Sequence, residues 1–136
     1  MTAFPGDRVA PSLADIHALA RAAFHTLPAA FRARCPNLVI QVEDVADDET
    51  LDDLGIEDPF ELTGLYDGVD LLSASVDDMG GPPDRVLLYR RAILDEWAER
   101  GNVTLAELVS HVLVHEIAHH FGLSDADIAA IDDWTA

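Results

Sequence analysis

Cysteine occurs once in these 136 residues, at Cys35, which excludes an intramolecular disulfide framework and suits a reducing compartment. One thiol cannot build a zinc site either, so Cys35 reads as a small, half-buried hydrophobe. Long apolar runs are missing too: no stretch approaches the ~18 residues of a membrane span. Residues 1–8 lack the apolar core of a signal peptide. The expectation is a cytoplasmic protein with no membrane partner. Positive charge is scarce. Eight Lys and Arg stand against 26 Asp and Glu, a formal net charge of −18. Such a surface repels nucleic-acid phosphate and anionic membranes, and is more consistent with solubility or a basic substrate.

What is present is globular in character. The hydrophobic fraction is 49%, and the length predicts one domain over 1–136, large enough for a core but too short for a second of comparable size. Ser12 with Asp15 forms a capping box ahead of Ile16, Leu19, Ala20, Ala23, Phe24 and Leu27, which recur at helical spacing. His17 and His25 fall in this helix outside any ligand pattern and read as solvent-facing or edge residues. Residues 38–42 are largely β-branched and predict a strand. Runs at 62–66 and 69–73 flank Asp67-Gly68, a hairpin signal. Gly80-Gly81-Pro82-Pro83 is a loop, followed by a further strand at 86–89. A helix over 90–100 stops at Gly101. Thr104 with Glu107 and Ser124 with Asp127 form two further capping boxes, opening a long helix and a short last one.

The long helix carries the chemistry. His115-Glu116-Ile117-Ala118-His119-His120-Phe121-Gly122-Leu123-Ser124-Asp125 reads as HExxHxxGxxD. Histidines four apart on a helix share a face, so two imidazoles can reach one Zn²⁺ at about 2.0–2.1 Å. Glu116 is rotated about 100° from His115 but only about 60° from His119, which sets its carboxylate beside the ion as a base toward water. A tetrahedral catalytic site needs one more protein ligand and one open position. Gly122 can reverse the chain at positive φ, and Asp125 then offers a hard oxygen ligand. Asp127, two residues on, stays open as the alternative third ligand, and the carboxylate of Asp125 would also suit the first turn of the last helix without any metal.

A random chain of this length contains HExxH on the order of once in several hundred sequences, and the Gly and Asp offsets make it rarer. The plain alternative is a buried helix with two core histidines. Against it, apolar residues in 105–121 occupy nearly every side of the helix, so three ionisable groups there would be costly without a partner. His111 lies on the face of His115, but the outer pair of an i, i+4, i+8 set is about 12 Å apart, so it reads as a neighbour of the site or an exposed residue. His120 points away from His119. Tyr66 and Tyr89 could each bring a phenol to a cleft, though each also reads as a core aromatic. Glu43, Asp44, Asp47, Asp48, Glu49, Asp52, Asp53, Glu57, Asp58 and Glu61 form an acidic run without calcium-loop spacing, expected as a solvated face or loop. Its functional alternative is an electrostatic collar for cationic peptides.

The metal motif, with Gly64-Leu65-Tyr66-Asp67-Gly68 and Pro83-Asp84-Arg85-Val86-Leu87-Leu88-Tyr89-Arg90 upstream, resembles the small bacterial zincin-like metallopeptidases described as minimal matrix-metalloprotease-like proteins. The resemblance implies an α+β, zincin-like fold: a small mixed sheet packed against helices, with the HExxH helix central and His115, His119 and Asp125 on zinc. The motif is also similar to that of metzincins, which usually take histidine as third ligand, and to the snapalysin variant, which takes aspartate. Here eleven residues follow Asp125, and the methionines are Met1 and Met79. No Met-turn and no deep specificity pocket are therefore expected. The activity implied is zinc-dependent hydrolysis of a peptide or protein substrate with Glu116 as general base. Two alternatives stand beside it: a non-catalytic zinc-binding interaction module, and hydrolysis of a small amide.

Overall fold

A computed structural model describes residues 9–68 and 84–120. The strand expected at 69–73, the loop at 80–83, and everything after His120, including Asp125, Asp127 and the last helix, lie outside the described residues. The helix expected after Ser12 is α1 (Leu13–Thr26). Its capping box is complete: the Ser12 N–H donates to Asp15 Oδ2 at 2.8 Å, and the Asp15 N–H donates to Ser12 Oγ at 3.1 Å. A short helix, α2 (Ala29–Ala33), follows. Strand β1 (Val39–Glu43) sits one residue later than expected.

The acidic run is not simply a loop. Asp48–Leu54 forms α3, with the Asp47 side chain accepting from Thr50 N–H at the N-terminus and Gly55 closing it at φ 69°. Asp at the cap and Asp48 and Glu49 in the first turn all favour the positive end of the helix dipole. The Thr50 hydrogen bonds hold the Asp47 carboxyl below its usual range. Only Leu51 of α3 is buried, so the helix presents its charges to solvent. A 3-10 turn (Pro59–Glu61) leads into β2 (Gly64–Asp67). Then come β3 (Arg85–Tyr89), α4 (Arg90–Arg100) and α5 (Leu105–His120).

The sheet order is β1-β3-β2, with β1 parallel and β2 antiparallel to β3. This is the mixed sheet of an α+β fold. Asp67, expected in a turn, is the last residue of β2 and pairs across to Arg85. Side chains alternate along β3 as strand geometry requires. Val86 and Leu88 face the larger core, with Ile16 and Ala20 of α1 and Leu108, Val109, Val112, Leu113 and Ile117 of α5. Leu87 and Tyr89 point the other way, against Ala46, Leu51 and Ala92. Each fully buried Leu, Ile or Val contributes about 1.5–3 kcal/mol.

Helix α5 therefore lies across one face of the sheet and touches α1, α4, β2 and β3. Its start is fixed twice. The Glu107 N–H donates to Thr104 Oγ1 at 3.1 Å, and the Thr104 hydroxyl donates to Glu107 Oε1 at 3.0 Å. The Trp97 indole N–H donates to the Val103 carbonyl at 2.9 Å, pinning the corner between α4 and α5, where Gly101 takes φ 72°. No described helix is long and apolar enough to cross a membrane.

Candidate metal centre

The last two turns of α5 carry His115, Glu116 and His119, and the core contacts of Val112, Leu113 and Ile117 fix how the helix is rotated. Both histidines are half-buried. Their Nε2 atoms are 3.3 Å apart, with ring planes inclined at 73°. Two ligand nitrogens each at 2.0–2.1 Å from one tetrahedral ion would be about 3.3–3.4 Å apart. The pair thus has the spacing and the donor type, imidazole nitrogen, that suit a zinc ion.

Among the described residues Glu116 is the one charged side chain in the buried set, 9% exposed. Strand β2 backs it closely: a Cβ on Gly64 would lie 3.2 Å from Glu116 Cγ and 2.8 Å from Val112 Cγ1. A side chain at Gly64 would hold strand and helix apart, so the glycine is what lets the carboxylate stem rest on the strand. Gly64 and Tyr66 lie on the same face of β2, two residues apart. Glu116 and His119 open into a shallow recess of about 310 Å³, completed by Leu65, Tyr66 and Gly68. A larger groove of about 410 Å³ runs between α1 and the first half of α5, past Ala22, Ser110 and His111. It contains neither Glu116 nor His119, so size does not mark the site.

The remaining candidates sort cleanly. His111 is half-buried and lines the α1–α5 groove, not the recess of Glu116 and His119. His17 is half-buried at the edge of the described sheet, its Nε2 3.1 Å from the Ile40 carbonyl of β1. His25 is exposed. Tyr89 is fully buried on the far side of the sheet; burial, then the charges of Glu43, Asp47 and Asp67, push its phenol up to about 12. It has no place in the cleft. Cys35 is buried, and burial together with the charge of Asp84 raises its thiol, as befits an inert core residue. Asp125 and Asp127 lie outside the described residues, and among the described residues no three His, Cys, Asp or Glu side chains are disposed to hold an ion. His120 is described only in its backbone.

Sequence reasoning did not single out Gly64, although a glycine inside a strand pattern signals close backbone approach. Leu65 and Gly68 join the recess only in the folded chain. A search of curated proteins finds no match. The family model for zincin-like metallopeptidases matches residues 35–135, a span that includes β2, β3 and the whole of α5. With most of its length matched, the chain belongs to the zincin-like metallopeptidase family.

Proposed function

We propose that the protein is a zinc-dependent peptidase in which His115, His119 and Asp125 hold the metal and Glu116 is the general base. One observation carries this reading: two imidazole nitrogens 3.3 Å apart on the same helix as a buried carboxylate, with Glu116 and His119 lining a recess. When bound, zinc polarises an amide carbonyl and makes water acidic enough to deprotonate near neutral pH. Glu116 accepts that proton and passes it to the leaving nitrogen as the C–N bond breaks. The contact with Gly64 limits where the Glu116 carboxylate oxygens can go.

An extended peptide suits a shallow recess bordered by a strand. Strand β3 is paired on both sides and has no edge to offer an extended peptide. Among the described residues β2 ends the sheet beside the recess, and it is the strand we assign. The acidic residues of 43–61, most of them exposed, favour a cationic peptide.

The test is metal stoichiometry. Protein purified without chelators or a metal-affinity tag should carry one zinc per chain, and His115→Ala should lose it. Asp125→Ala should lower zinc affinity far more than Asp127→Ala; the reverse order would move the third ligand. Glu116→Gln should retain zinc and lose cleavage. Folded protein that neither carries nor takes up zinc would end the hydrolase reading.

A further inference from the structure

The recess is bordered by a charge that its own lining does not include. Gly68 lines it together with Glu116 and His119, and a Cβ built on Gly68 would collide with Asp84 Oδ1. The Asp84 carboxylate therefore stands where residue 68 would otherwise have its side chain. Strand geometry agrees: Asp84 precedes Val86 and Leu88 by two and four residues, and these are the β3 side chains that face α5. Its backbone is fixed, since the Asp84 carbonyl accepts from the Val39 N–H of β1 at 2.9 Å. Arg85, the next residue, is paired with Asp67. Burial, and then the charge of Asp84, raise the Cys35 thiol, so the carboxylate is felt as a negative charge by its surroundings.

Resting on the peptidase reading above, we propose that Asp84 is a specificity-determining residue of the recess: its carboxylate receives the guanidinium or ammonium of an arginine or lysine that flanks the scissile bond. Reach and charge lead here. Gly68, Glu116 and His119 border one space of about 310 Å³, so a substrate residue held beside Gly68 flanks the amide being cut. Arginine and lysine lay their apolar stems along a surface and carry the charge at the tip, which suits a recess with Leu65 in its lining and a carboxylate at its border. A carboxylate has two oxygens and about four acceptor sites, so a hydrogen bond that Asp84 already accepts leaves room for a two-pronged guanidinium. The acidic run of 43–61 acts at a distance and draws in the whole peptide; Asp84 acts at contact and selects which residue lies at the cut.

The experiment compares zinc-loaded wild type, Asp84→Asn and Gly68→Ala. Peptides that wild type cleaves are remade with arginine, lysine or citrulline at each position flanking the scissile bond; citrulline keeps the shape of arginine and lacks its charge. The readouts are zinc content, thermal midpoint, kcat/KM at low salt and at 1 M salt, and calorimetric affinity of the arginine and citrulline peptides for zinc-loaded Glu116→Gln with and without Asp84→Asn. Wild type should prefer arginine to citrulline by about tenfold or more at one flanking position. The preference should persist at 1 M salt, where a screening length of about 3 Å removes the distant acidic run but not a contact pair. Asp84→Asn should lower the arginine-to-citrulline ratio about tenfold in both kcat/KM and affinity, with zinc retained. Gly68→Ala, which forces the carboxylate aside, should lower the ratio in the same direction. An unchanged ratio in zinc-loaded Asp84→Asn, or no preference in wild type at either position, would overturn the proposal and leave the peptidase reading standing. Loss of zinc in Asp84→Asn would also overturn it, by showing that the carboxylate supports the metal site instead. If Asp84→Asn does not fold, an unchanged ratio in Gly68→Ala overturns it. Zinc-loaded wild type that cleaves no peptide would refute the peptidase reading, and the role of Asp84 with it.

Discussion

Gly64→Ala is the sharpest probe of how the strand positions Glu116, the proposed base. The added methyl would sit 2.8 Å from Val112 Cγ1, 3.2 Å from Glu116 Cγ and 3.3 Å from the Leu87 carbonyl oxygen. Carbon atoms in contact prefer about 3.5–4.0 Å, so β2 and α5 must separate by several tenths of an ångström. Neither neighbour gives way easily. Val112 is β-branched in a helix and has one strongly preferred rotamer, and Leu87 lies in the central strand, paired to both β1 and β2. Overpacking of this kind costs about 1–3 kcal/mol. The backbone at Gly64 is not in the positive-φ region, so alanine also gains about 0.4–1 kcal/mol through the unfolded chain. The net loss is about 0.5–2 kcal/mol, a drop in thermal midpoint of roughly 2–8 °C. Activity should suffer out of proportion, because a misplacement on the order of 1 Å can cost about 10²-fold. A loss of roughly tenfold in kcat, measured well below the unfolding transition with zinc retained, is expected. Gly55→Ala is the control: its φ is 69° and its Cβ would meet nothing, so it should lower stability and leave kcat alone. Gly64→Ala with wild-type thermal midpoint and wild-type kcat would refute the close approach of β2 to Glu116.

The phenol of Tyr89, pushed up to about 12 from 10 by burial and acidic neighbours, must titrate at a higher pH folded than unfolded. The folded state then binds more protons between these values, so stability is fully present below pH 10 and falls as pH rises toward 12, by about 2–3 kcal/mol in all. Tyr89→Phe should flatten that part of a pH series of urea unfolding curves; an unchanged alkaline slope would remove Tyr89 as its cause. If the acidic segment around α3 draws cationic peptides to the recess, kcat/KM for an arginine-rich peptide should fall roughly tenfold from low to high salt, as the screening length shrinks from about 10 Å at 0.1 M to about 3 Å at 1 M. An alanine peptide should show little change, and equal salt dependence for both would sink the idea.

The helices were legible where local chemistry and periodicity agree. The Ser12–Asp15 box, Gly101, the Thr104–Glu107 pair and the apolar spacing of α5 are all short-range signals, and each marks an observed boundary or buried face. The spacing of His115, Glu116 and His119 needed only helix geometry to bring two imidazoles and a carboxylate together. α3 was less visible because ten acidic residues read as solvated chain, although Asp47 at its cap and Gly55 at its end carry the usual helix signals.

The sequence by itself determined that α5 brings His115, Glu116 and His119 together, because residues four apart on a helix share a face. Only the tertiary structure decided what stands opposite them. Gly64 under Glu116 and Tyr66 at the recess follow from the order β1-β3-β2 and the register of β2 on β3. The β2–β3 pairings join residues 18 to 24 apart along the chain and the β1–β3 pairings residues 46 apart, and a slip of one residue in β2 would turn Gly64 and Tyr66 away from α5. Strand register is a long-range choice made by the whole core, which is why the helix could be read in the sequence and the wall facing it could not.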